Sequence, residues 1–272
     1  MFFPIATSGF RAARGVAAVL GAILPAIASA GPVQAAGCSL PSQGEAHVTG
    51  VIDGRGVQLA DGREIKLAGI EAIPAATKTD RTAALLAIIA DRDVVLRGED
   101  DMPDRYGRQT AFVFLAGSET PVQNLLLAQG EALASPDIAD KDCAASLMAA
   151  EEEARQARRG FWASPAAIKN AESPDDILAG IGLFTVVEGK VLSVRQAGAT
   201  TYLNFGRNWT RGFAATISRR MLPTLAAAGI APKSLENRRI RLRGWIEARS
   251  GPRSGPRMEV LRAGQIEMLD AN

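Results

Sequence analysis

The chain has 272 residues, 47% of them hydrophobic and 22% charged, which is enough apolar material for two cored domains and too much for a disordered chain. A single histidine and two cysteines exclude a histidine-based triad and a histidine–cysteine zinc centre. The net charge of +2 hides an asymmetry: Lys+Arg against Asp+Glu is 14 to 23 over residues 38–183 and 15 to 6 over residues 184–272. An acidic part therefore precedes a basic one. Such a division points either to a polyanion partner for the basic part or to attraction between the two.

From the N-terminus, Arg11 and Arg14 precede an apolar run from Gly15 to Ile27, and Ala28-Ser29-Ala30 supplies small residues for cleavage. Residues 1–37 read as an export signal, with Gln34-Ala35-Ala36 as a second cleavage point. The run is shorter than the ~20 residues a membrane span needs. The mature chain is thus expected to be periplasmic or secreted, with no transmembrane span. A lipid anchor on Cys38 is the alternative, although Ala35 stands where such signals carry Leu. In an oxidising compartment an even cysteine count favours a Cys38–Cys143 disulfide. It would close a loop of about 100 residues and stabilise by roughly 4–5 kcal/mol in the chain-entropy picture.

Ala46–Ile52 reads as a strand, Asp53-Gly54 as a turn, and Val57–Leu59 as a second strand; Asp61-Gly62 is a hairpin turn ahead of the strand Glu64–Leu67. His47, the only histidine, falls on the first strand with no chemistry assigned. Helical spacing follows from Asp80 to Ala90, with Thr79 or Asp80 as cap. Then come the strand Val94–Leu96, an acidic loop with Glu99, Asp100, Asp101 and Asp104, and the strand Thr110–Leu115. Pro121 opens and Gly130 closes a short helix, and residues 141–159 form a longer one. Residues 164–183, rich in Pro and Gly, read as a linker.

Beyond it, Val186–Val194, Thr200–Phe205, Gly212–Ile217, Arg239–Glu247 and Met258–Leu261 read as strands, with a helix over Arg219–Ala228. Three strands, a helix and two strands fit a five-stranded OB-type barrel. The fold class expected is α+β, mainly β, with two such barrels: residues 38–163, which include C-terminal helices, and residues 184–272.

Val51-Ile52-Asp53-Gly54, Lys66 to Ala72, Asp104-Arg105-Tyr106-Gly107-Arg108, the helix before Gly130 and Glu153-Ala154-Arg155 to Gly160-Phe161-Trp162 occur in an order that resembles the staphylococcal-nuclease (thermonuclease) family. The likeness covers roughly residues 46–163. It implies a phosphodiesterase built around one calcium ion, held by carboxylates, with a glutamate to activate water and two arginines to grip phosphate. Carried onto this chain, the first metal aspartate falls on Arg55, the first phosphate arginine on Lys66, the second metal carboxylate on Glu71 and the second arginine on Arg108. The base glutamate falls on Ile73-Pro74 or, shifted by one, on Ala75. A cation at a metal position and no general base predict that calcium and hydrolysis are lost, leaving no cofactor and a binding module. A divergent phosphodiesterase using Lys66, Glu71 and Arg108 is the alternative.

In the basic part, Arg239, Arg241, Arg243 and Trp245 alternate onto one face of a strand, a row suited to a nucleic-acid backbone with stacked bases. Tyr202, Trp209 and Phe213 are further stacking candidates, and Arg249, Arg253 and Arg257 add charge in a Gly/Pro turn. Two other readings of the row stand: a solvated, charged strand, or docking on the acidic first domain. The partner expected is nucleic acid through the second barrel, or an envelope protein.

Overall fold

The computed structural model describes Met1 and residues 38–74, 77–248 and 255–269. The export signal read over residues 1–37, Ala75, and the turn with Arg249 and Arg253 lie outside the described residues. Strand β1 (Ser42–Asp53) turns at Gly54 into β2 (Gly56–Leu59), and β3 (Glu64–Leu67) follows the Asp61-Gly62 turn. Gly62 there takes φ +87°, a left-handed conformation open to glycine without steric cost. A short strand β4 (Ile70–Ala72) precedes α1 (Lys78–Ile89). The cap of α1 is Thr77, not Thr79 or Asp80: its hydroxyl oxygen accepts the Asp80 N–H at 3.2 Å. Strands β5 (Asp93–Arg97) and β6 (Arg108–Leu115) complete a closed barrel in the order β1-β2-β3-β6-β5. Its β3 and β6 run parallel and its other neighbours antiparallel. Val57, Leu59, Ile65, Leu67, Leu96 and Val113 point inward from alternate positions.

Helix α2 (Val122–Gln129) begins after Pro121 and ends on Gly130 at φ +75°, as its sequence signals require. Strand β7 (Ala132–Ala134) then pairs with β4, setting Leu133 opposite Glu71. Helix α3 (Lys141–Gln156) is capped by Asp140, whose carboxylate accepts the Cys143 N–H at 2.8 Å. Cys38 and Cys143 are joined in a disulfide that ties the start of the barrel to α3.

The segment 164–183, expected as a linker, carries β8 (Ile168–Asn170) and α4 (Pro174–Leu178). Strand β8 adds in parallel to β9 (Phe184–Lys190), so the connection is itself part of a sheet. The remaining elements are β10 (Ser193–Ala197), β11 (Thr200–Asn204), β12 (Ala214–Ser218), α5 (Leu222–Ala227), β13 (Arg239–Ala248), β14 (Pro256–Val260) and β15 (Ile266–Met268). They form a sheet of order β10-β11-β12-β14-β13-β9-β8, with β15 also on β13: eight strands where five were expected. Besides β8 and β15, the difference is that the strand predicted over Val186–Val194 is two. Val191 N–H bonds to the Arg238 carbonyl and Leu192 N–H to that of Asn204, so the chain changes partners between them. The connectivity otherwise repeats the first barrel. Strands β12 and β14 are parallel, and α5 lies between β12 and β13 as α1 lies between β3 and β5.

Each sheet has its own apolar core. A third cluster joins Leu133, Ala154 and Trp162 of the first half to Ala167, Phe184 and Val186. The described residues from Cys38 onward form one compact unit. Among the described residues no helix is long and apolar enough to cross a membrane.

Candidate functional site

The turn between β1 and β2, strands β3 and β4, and the start of β6 bring the residues of the nuclease-like set together. Arg55 follows the turn, where the Asp53 carboxylate accepts its backbone N–H at 2.8 Å. The Arg55 guanidinium donates to the Glu71 carboxylate and lies 3.5 Å from the Ile70 carbonyl oxygen. Both side chains of this pair are largely shielded from solvent. Burial pushes the Glu71 carboxyl up from its ordinary range, and the charges of Arg55 and Lys66 only partly offset it. Lys66 stands opposite Gly56 on β2 and Thr110 on β6, so it shares this face.

Arg108 opens β6 and faces Glu64 across the parallel pair. Its guanidinium is committed to the loop before it, with Nη2 2.8 Å and Nε 3.2 Å from Asp104 Oδ2. The other Asp104 oxygen accepts the backbone N–H groups of Tyr106 at 2.8 Å and Arg108 at 3.0 Å. Those bonds, with the arginine charge, hold the Asp104 carboxyl down to about 2. The guanidinium carbons of Arg105 and Arg108 lie 4.7 Å and 5.2 Å from the centre of the Tyr106 ring. Arg108 thus serves the turn that Tyr106 and Gly107 form.

Residues 76–164 match the family model described as staphylococcal nuclease homologue. The chain carries a staphylococcal nuclease-like domain. The nuclease-like match takes in Arg108 and the closing helix α3; Arg55, Lys66 and Glu71 precede it. Among curated proteins no match is found.

The expected basic face of β13 is corrected by the structure. Its alternation is as read, but the middle of the face, Arg241 and Arg243, is buried, while Arg239 and Trp245 at its ends are exposed. Arg243 and Glu151 of α3 are each 1% exposed and meet at 2.7 Å. Arg243 also donates to the Ala134 carbonyl at 3.0 Å, and Glu151 accepts the Ala134 N–H at 2.8 Å. Arg241 is buried between Glu188, 2.6 Å away, and Glu267, bound through both oxygens at 2.7 and 2.8 Å. Burial also pushes the Glu188 carboxyl upward. Arg239 is more exposed and 4.0 Å from Glu188, and Trp245 packs edge-on against Phe184 with ring centres 5.9 Å apart. Tyr202 is elsewhere, on β11 opposite Arg195 of β10. Phe213 is buried against Phe205, and Arg257 pairs with Glu247.

Of the row on β13, Arg243 alone docks on the first domain, Arg241 is held by carboxylates of its own half, and Arg239 and Trp245 stay exposed. The residue missed in the sequence is Glu151. Its signal was there: Cys143, Leu147, Glu151 and Ala154 follow helical spacing on the buried side of α3, and a carboxylate in such a stripe calls for a buried cation.

Proposed function

We infer that the chain is an exported, non-hydrolytic nucleic-acid-binding protein, in which the nuclease-like domain keeps its fold and has exchanged its metal for an internal cation. The Arg55–Glu71 ion pair carries this reading. Calcium takes about 6–8 oxygen ligands, commonly from several carboxylates. Here the one carboxylate at the matching position is engaged by a guanidinium, and among the described residues no three carboxylate, histidine or cysteine side chains converge. The residues present do not fit a calcium ion. Nor does another carboxylate stand at the position of the water-activating glutamate, where the chain has Ile73-Pro74 or, shifted by one, Ala75. Export is supported by the apolar run after Arg14 and by the Cys38–Cys143 bond, which suits an oxidising compartment.

The mature protein, incubated with single- and double-stranded DNA and RNA, should leave the strands intact with calcium or with chelator. Calcium titration should give no calorimetric heat with the natural chain and a measurable heat with Arg55→Asp, which removes the cation and supplies a second carboxylate beside Glu71. Calcium-dependent cleavage by the natural chain, abolished in Arg108→Ala, would overturn the reading.

A further inference from the structure

The positive charge of the basic half does not vanish into the dock. Among its described carboxylates, Glu188, Glu236, Glu247 and Glu267 are each ion-paired. Arg195, Arg207, Arg211, Arg219 and Arg220 are exposed, and among the described residues none has a carboxylate within ion-pair distance. These cations follow the β10–β11–β12 hairpins. Arg195 sits opposite Tyr202 in mid-strand, while Arg219 N–H bonds to the Ala199 carbonyl at the β10–β11 turn. At the other end, the β11–β12 loop presents Arg207, Trp209 and Arg211, with Trp209 60% exposed.

That loop is built to hold its shape. Asn208 Oδ1 accepts the Thr210 N–H at 3.1 Å, the Thr210 hydroxyl at 2.7 Å and the Arg211 N–H at 3.2 Å. The Gly212 N–H closes on the Asn208 carbonyl at 2.7 Å, and Gly255 N–H donates to the Thr210 carbonyl at 2.8 Å. A β-carbon on Gly212 would meet the Asn208 oxygen at 2.9 Å, and one on Gly255 would collide with the Arg211 carbonyl. Trp209, 60% exposed on a loop ordered before any ligand arrives, has its ordering cost already met.

We propose that the β11–β12 loop, through Trp209, Arg207 and Arg211, together with Arg195 and Tyr202 on the adjoining strands, is a binding platform for single-stranded nucleic acid. The cations neutralise successive phosphates and the indole stacks an unpaired base. A duplex keeps its base faces inside the stack and offers Trp209 none. The assignment rests on the nucleic-acid-binding reading above and moves its site off β13.

The test is fluorescence anisotropy with the mature chain and a labelled oligothymidylate of about 15 nucleotides, within the range of one barrel's site. Trp209→Ala should weaken binding roughly tenfold or more, as loss of one stacked base does. The pair Arg207→Ala and Arg211→Ala should reduce the slope of log affinity against log salt by about 1.4, two single-strand phosphate contacts. All three side chains are exposed, and circular dichroism should show the variants folded. Binding by the natural chain that these variants leave unchanged would overturn the platform while sparing the nucleic-acid reading. No binding by the natural chain would overturn both. Equal affinity for a duplex of the same length would overturn the single-strand assignment.

Discussion

His47 stands between two carboxylates at the edge of the first barrel, with Nδ1 2.9 Å from Asp93 and Nε2 3.0 Å from Asp91. Both ring nitrogens can donate only in the imidazolium, so these contacts select the charged form. The hydrogen bond to Asp93 and then that to Asp91 raise its pKa above the ordinary 6.5. A raised value stabilises the fold fully below the unfolded pKa, and that stability is lost as pH rises through the folded one. Asp104 works the other way: its contribution is complete above the ordinary carboxylate range and is lost as pH falls towards about 2. Because the chain has one histidine, the first effect can be isolated. The urea midpoint of the natural chain should fall between about pH 5.5 and about pH 8.5, and His47→Gln should flatten that slope. An unchanged slope in the variant would show that the imidazole has no preference for its folded place. The same logic applies to Glu71, where burial outweighs the attraction of Arg55 and Lys66. Its tendency is to hold a proton more tightly in the fold than outside it.

Strand β13 and helix α3 meet through a charge pair that neither could bury alone. Removing one member of a buried pair leaves an unpaired charge and costs about 3–5 kcal/mol, whereas neutralising both can be nearly free. Arg243→Met and Glu151→Gln should each fall in that range by urea unfolding. The glutamine keeps an oxygen for the Ala134 N–H, so the double variant should recover much of the loss, with a coupling above about 2 kcal/mol. Additive losses would mean that the two side chains do not share one interaction. Strand β7 lies where this pair and the candidate site approach: Ala134 is gripped by Glu151 and Arg243, while Leu133 beside it pairs across the ladder with Glu71. Much of this element level was legible in the sequence. Turn signals at Gly54 and Gly62, the Pro121–Gly130 helix and the alternation along β13 are local patterns, and local patterns survive folding. The destination of a side chain is not local. Arg243 reaches a partner 92 residues away, so its face could be read while its neighbour could not. The same held for Arg55: the family resemblance drew attention to it, but its bond to Glu71 depends on β4 pairing with β7, and neither three-residue strand has a period long enough to detect.

Across the whole molecule, the charge asymmetry is resolved by contact as well as by exposure. Acidic α3 meets basic β13, Arg262 reaches Asp137 at 2.9 Å, and the surplus cations gather on the β10–β12 hairpins. The shared cluster around Trp162 and Phe184 makes the barrel and the eight-stranded sheet one packing unit, which argues for a single cooperative unfolding transition. The Cys38–Cys143 bond spans 105 residues of the first barrel, a loop long enough for roughly 4–5 kcal/mol in the chain-entropy picture. Against a total stability of about 5–15 kcal/mol that is a large share. For a chain of this size each kcal/mol moves the midpoint by about 2–4 °C. The Cys38→Ser, Cys143→Ser protein should therefore melt about 8–20 °C lower in a calorimeter, still as one transition, because the arginine–glutamate dock and the shared apolar cluster are untouched. Two resolved transitions, with only the lower one displaced, would mean that the barrel unfolds without the eight-stranded sheet and that the interface couples them weakly. A single transition with an unmoved midpoint would mean that the crosslink constrains a segment already confined in the unfolded chain.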